Sequence, residues 1–200
     1  MSRPVARLAA RPAAVVDLPT GLLRGASQVL SPHYDARPDG MRPELIVVHG
    51  ISLPPDDFGG GWIERFFCGN LPPAAHPYFS AIAGLRVSAH LLIARDGRST
   101  QFVPFHARAW HAGVSRYEGR DRCNDFSIGI ELEGADNTPY TDDQYAALAG
   151  VVRSLCAAYP GLAPARLVGH SDIAPGRKSD PGPAFDWTRL RAAVESPTGG

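Results

Sequence analysis

Two hydrophobic rhythms alternate along the chain, and each marks a different kind of element. ELIVVHG (44–50) is a short continuous apolar run bounded by Pro43 and Gly50, the pattern of a strand buried on both faces. In RVSAHLLIARDGRSTQFVPF (86–105) two apolar runs flank Asp96-Gly97, a tight-turn signal, and predict a strand pair. FSIGIELEG (126–134) alternates, with Ile128, Ile130 and Leu132 facing one way and Gly129, Glu131 and Glu133 the other. The period lengthens over TDDQYAALAGVVRSLCAAYPG (141–161): Thr141 and Gln144 form a capping box, and Tyr145, Leu148, Val152, Leu155 and Tyr159 make one apolar stripe. Pro160-Gly161 stop this helix. RLVGH (166–170) reads as a further buried strand and DWTRLRAAV (186–194) as a last helix capped by Asp186. Shorter helical pieces fall within GGWIERFFCG (60–69) and HPYFSAIAGL (76–85). Strands mixed with helices predict an α/β (α+β) fold: one domain, a central mixed sheet flanked by helices.

Two hundred residues suit a single domain with an adequate core. Residues 1–20, rich in Ala, Arg and Pro, have no apolar run long enough for a signal-peptide core and are expected to be a flexible extension. The domain is expected over 21–195 and a frayed end over 196–200. Net charge is zero with His neutral, so no basic field invites nucleic acid. No stretch approaches the roughly 20 apolar residues of a membrane span. Cys68, Cys123 and Cys156 cannot all pair and form no C-x-x-C, which fits a reducing compartment and argues against a thiolate zinc site. A cytoplasmic protein with no nucleic-acid, membrane or obligate protein partner is the expectation.

The chemistry gathers at strand ends. His49 and His170 each terminate a buried apolar run and open a loop containing glycine or proline, where a sheet fixes a side chain and loops shape a pocket. Two imidazoles so placed suit zinc; the plain alternative is a buried histidine satisfied by a backbone carbonyl. His90 in VSAHLLI and His111 in AWHAG are rivals, while His33, His76 and His106 read as surface positions. A catalytic zinc takes a third protein ligand. Asp172 and Asp180 both lie after His170, and spacing does not separate them; Asp186 is better explained as a helix cap. Glu131 is a general-base candidate if its face of the strand is poorly solvated, and a water-facing glutamate if that face is open. Lys178, in PGRKSDPG, could stabilise an anion, and an ordinary surface lysine would read the same way. GHSDI lacks the final glycine of a nucleophile elbow, Cys123 has no visible activator, and there is no phosphate-binding glycine loop.

Taken together, ELIVVHGISLPPDDFGG, LRVSAHLLIARDG, RAWHAGVS, GRDRCNDFSIGIELEG, YTDDQYAAL and GHSDIAPGRKSDPGPAFDW resemble the cytosolic AmpD-type amidases over roughly residues 27–190. These zinc enzymes cleave N-acetyl-anhydromuramyl-L-alanine bonds in bacterial cell-wall recycling and share a fold with phage amidases and peptidoglycan recognition proteins. The resemblance implies Zn²⁺ held by His49, His170 and Asp180, Glu131 and Lys178 as catalytic residues, and Arg86, Trp110 and Arg122 along the groove that takes the muropeptide. It thereby favours Asp180 over Asp172 and His49 over His90. Gly50 and Ser171 depart from the Asn and Cys common in that family beside the two histidines. A non-catalytic peptidoglycan-binding module is the competing expectation, and the full ligand set speaks against it.

Overall fold

The computed structural model describes residues 14–196. A six-stranded mixed sheet forms its centre, built from β1 (Ser27–Gln28), β2 (Leu45–Ile51), β3 (Leu91–Ile93), β4 (Ser99–Gln101), β5 (Ser127–Glu133) and β6 (Leu167–Gly169) in the order β6-β2-β5-β3-β4-β1. β6, β2, β5 and β3 run parallel; β4 returns antiparallel to β3, and β1 lies parallel to β4. Around the sheet lie α1 (Trp62–Phe67), α2 (Pro77–Ile82), α3 (Asp142–Ala158), α4 (His170–Ile173) and α5 (Trp187–Glu195).

Each predicted element appears, and for the expected local reason. Gly97 takes the left-handed conformation (φ 74°) that lets the chain turn between β3 and β4. Thr141 Oγ1 accepts from the Gln144 N–H while the Gln144 side chain accepts from the Thr141 N–H, the reciprocal box read in the sequence. Asp186 accepts from the Arg189 N–H at the start of α5.

Both faces of the sheet centre are covered. Ile46, Val48, Ile128, Ile130 and Leu132 pack with Leu148, Val152 and Leu155 of α3 and Leu190 of α5. On the opposite face Leu45 and Val47 meet Ala112, Cys123, Phe126 and Ile173. A second cluster seats Phe66 and Phe67 of α1 and Phe79 of α2 against Leu92 and Phe102. The face carrying Ser127, Gly129 and Glu131 is therefore enclosed, and every position of β5 is buried. Of the two readings left open for Glu131, the water-facing strand is the one overturned: a central strand has neighbours on both edges and layers on both faces.

The domain starts earlier than the sequence pattern indicates. Val15–Asp17 pairs antiparallel with Leu22–Arg24, Val16 is buried, and its N–H donates to Ser154 Oγ on α3 (3.0 Å). Residues 14–20 of the expected extension thus belong to the folded body, while 1–13 and 197–200 lie outside the described residues.

Candidate active site

The carboxyl ends of the parallel strands open into a cavity of about 830 Å³, the size of an ordinary small-ligand pocket and the usual location for one in such sheets. β2 delivers His49 and β5 delivers Glu131 side by side, since the two residues are register partners. β6 ends at Gly169, so His170 enters the same cavity as the first residue of α4. The chain then loops round to Asp180, whose carbonyl accepts from the Ser171 N–H (3.0 Å) and so holds the loop's far end against His170.

His49 Nδ1, His170 Nδ1 and Asp180 Oδ2 form a near-equilateral triangle with edges of 3.0, 3.1 and 3.2 Å. Among the described residues they are the one group of metal-ligating side chains whose donor atoms all lie within 4.8 Å of one another. A triangle of that size closes around a single ion at zinc bond lengths of about 2.0–2.2 Å. Electrostatics favour the ligating forms. Burial pushes the His49 imidazole down to about 4, so it is neutral at pH 7. Burial alone would raise Asp180, but the two imidazoles beside its Oδ2, His170 and His49, reverse this and hold it well below the ordinary carboxylate range. His170 Nε2 lies 3.3 Å from the Ala112 carbonyl. A carbonyl only accepts, so Nε2 carries the proton and Nδ1 offers its lone pair. Two imidazole nitrogens and one carboxylate would suit zinc, the three-ligand set of catalytic sites that keep a position for water.

Glu131 is almost fully buried, and its Oε2 has no hydrogen-bond partner among the described residues. Burial pushes its carboxyl well above the usual range, the Asp180 charge adds to this, and Lys178 opposes it. Lys178 lines the cavity with an exposed side chain, its backbone N–H bonded to the Ala174 carbonyl (3.1 Å). Trp110 and Arg86 also line the cavity. Trp110 is held by its indole N–H, which donates to Asp35 Oδ1 (3.1 Å), while Asp35 grips Arg108 through both carboxylate oxygens. Arg122 lies outside the cavity lining; it is exposed and paired with Asp125 at 3.2 Å.

The remaining candidates separate cleanly. Asp172 accepts from the Gly169 N–H (2.7 Å) and serves the start of α4, the plain turn role. His90 is fully buried: its Nδ1 accepts from the Gly129 N–H (3.0 Å) and its Nε2 donates to the Ala107 carbonyl (3.2 Å), which leaves no lone pair for a metal. His111 lies behind His49 with Nδ1 2.9 Å from its Nε2. His106 is exposed as expected and His76 half-buried. His33 is not at the surface; it is buried, stacks on Trp110 at 6.1 Å and bonds the Val87 carbonyl through Nδ1 (3.1 Å). Its neighbour Pro32 reads as loop, but loop residues also fill the space behind a cavity wall. Burial raises the Cys123 thiol, which rules against a thiolate nucleophile there.

Known proteins match this chain closely in sequence and fold. The chain is 61% identical over 181 residues to the 1,6-anhydro-N-acetylmuramyl-L-alanine amidase AmpD of Escherichia coli K12, covering 90% of this chain and 98% of that protein. It is 63% identical over 174 residues to the AmpD of Salmonella typhimurium SL1344, covering 87% and 92%. The fold superposes on a crystal structure of a selenomethionine AmpD derivative with a TM-score of 0.86 at 61% identity, over 88% of this chain and 97% of that one. The family model described as N-acetylmuramoyl-L-alanine amidase matches residues 39–183, a span that takes in β2 to β6 and the side chains of His49, His170 and Asp180. The chain belongs to the N-acetylmuramoyl-L-alanine amidase family.

Proposed function

We propose that this chain hydrolyses the amide bond between anhydro-N-acetylmuramic acid and L-alanine in muropeptides released during cell-wall recycling, with zinc as its cofactor. The convergence of His49 Nδ1, His170 Nδ1 and Asp180 Oδ2 beside an unpartnered glutamate carries the reading. The anhydromuramyl preference rests on the activity printed for the AmpD relatives.

When bound, zinc supplies a Lewis acid for the scissile carbonyl and brings the pKa of water to about 7. His49, His170 and Asp180 hold it at the mouth of the sheet. Glu131 accepts the proton of the attacking water and passes it to the departing alanine nitrogen, as one group at hydrogen-bond reach of both must. An enclosed carboxylate without competing donors is a stronger base than a solvated one, which suits this task near neutral pH. Lys178 faces the oxygen on which negative charge develops, a contribution of about 3–4 kcal/mol for one well-placed donor. Its loop is already pinned at Ala174 and Ser171, so little reorganisation accompanies the step. Arg86 on the cavity wall offers a guanidinium to the peptide's carboxylates, and Trp110 an apolar face to the sugar. Arg122, paired with Asp125 outside the cavity lining, has less support for a place along the groove.

Incubation with an anhydromuramyl-tripeptide, followed by mass spectrometry, tests the proposal. Free tripeptide and anhydro-N-acetylmuramic acid are expected. Muropeptide bound but left intact with zinc supplied would make the chain a binding module instead.

A further inference from the structure

The two imidazole ligands are backed by one dipeptide. His111 stands edge-on to His49 with ring centroids 5.0 Å apart at 88°. Its Nδ1 lies 2.9 Å from His49 Nε2 and its Nε2 lies 3.0 Å from Ser127 Oγ. The next residue, Ala112, turns its carbonyl to His170 Nε2 (3.3 Å), and Arg177 donates to the same oxygen (2.7 Å). The dipeptide is itself held: the His111 and Ala112 N–H groups both donate to Asn124 Oδ1, at 3.1 and 2.8 Å. β5 leaves room for it, because a methyl group at Gly129 would overlap the His111 ring.

The proton inventory gives this chain a direction. A neutral imidazole has one N–H and one lone pair, so a ring that turns the Nδ1 lone pair to a metal carries its proton on Nε2. His170 meets that condition through the Ala112 carbonyl. His49 meets it only if His111 Nδ1 accepts, which places the His111 proton on Nε2, where Ser127 Oγ accepts it. The other His111 tautomer would oppose two N–H groups at 2.9 Å.

We propose that the His111–Ala112 dipeptide, fixed by Asn124, orients both imidazole ligands, and that His111 is a positioning residue that keeps the Nδ1 lone pair of His49 turned to the metal through a Ser127–His111–His49 chain. The inference rests on the zinc reading above. It gives His111, Ser127 and Asn124 a task outside the reaction itself. Partners of this kind, bonded to a ligating histidine's second nitrogen, typically account for about 10–100-fold in metal affinity.

Zinc retention by the zinc-loaded full chain against a competing chelator tests it. His111→Phe fills the same space but accepts no hydrogen bond, and is expected to weaken zinc binding by about 10–100-fold. It is also expected to shift the visible spectrum of the cobalt-loaded chain. His111→Asn, which can present an acceptor near the Nδ1 position, is expected to recover most of the affinity, and Ser127→Ala to show a smaller loss in the same direction. Unchanged retention and an unchanged cobalt spectrum in His111→Phe would overturn the proposal while leaving the zinc site standing; a wild-type chain that takes up no zinc would remove both. Should the phenylalanine variant fail to fold, long-range ¹H–¹⁵N correlation on the zinc-loaded wild type decides. A His111 protonated on Nε2 is expected, and one protonated on Nδ1 would overturn the proposal.

Discussion

Asp180 and Glu131 are both carboxylates in one enclosure, yet their surroundings drive them in opposite directions. The two imidazoles facing Asp180 hold its carboxyl low, whereas burial with no hydrogen-bond partner at Oε2 pushes Glu131 up and leaves it ready to take a proton. Loss of each should therefore read differently. Asp180→Ala is expected to abolish stoichiometric zinc and to lower hydrolysis by more than the roughly 100-fold typical of outer-shell changes, checked by metal analysis and product assay. Glu131→Gln is expected to retain zinc but lose about 10²–10⁴-fold in kcat. In the metal-free chain the same substitution has a stability consequence. A carboxyl whose folded pKa is raised binds its proton more tightly folded than unfolded, so its favourable contribution is full below the unfolded value of about 4.3 and is lost as pH rises. Metal-free Glu131→Gln is thus expected to melt higher than metal-free wild type at pH 7, with the gap closing as pH falls towards 4, measured by thermal unfolding across pH.

The elements that carry these residues differ in how openly they announce themselves. α3 is legible because cap, stripe and stop all agree; Leu148, at its buried centre, should cost about 2–5 kcal/mol when cut to alanine, read from denaturant unfolding. β2, β5 and β6 show as apolar runs, and His49 and His170 show as polar breaks at their ends. Pattern alone left Glu131 open, because alternation looks the same on an edge strand and on a central one; only the neighbours β2 and β3 settle that it is enclosed. Asp180 and Asp172 are likewise inseparable by spacing, since what distinguishes them is a carbonyl bond nine residues back to Ser171 and a cap at Gly169. The hairpin of Val15–Asp17 and Leu22–Arg24 escaped notice because strands of three residues have too few positions to establish a period. His33 and the His111–Ser127 contact escaped for another reason: both are made by loop residues whose partners lie far along the chain.

At the scale of the whole molecule, a parallel sheet gathers what the sequence disperses. Residues 49, 131, 170 and 180 meet because His49 and Glu131 are register partners on β2 and β5, β6 ends opposite Val48 and so delivers His170 beside His49, and Asp180 is bonded back to Ser171, while residues 110–113 line the cavity wall. Metal and fold are then linked. Free zinc at about a thousand times its dissociation constant should add about 4 kcal/mol to stability, seen as a melting temperature that rises with zinc and falls with chelator. No helix among the described residues is long and apolar enough to cross a membrane. The measurement that bears most directly on the account is an anomalous-scattering map at the zinc edge from crystals of the zinc-loaded chain. The account predicts one peak bonded to His49 Nδ1, His170 Nδ1 and an Asp180 oxygen at about 2.0–2.2 Å, with the fourth position facing Glu131. A peak that involves His90 or His111, or no ordered metal between those three side chains, would contradict it.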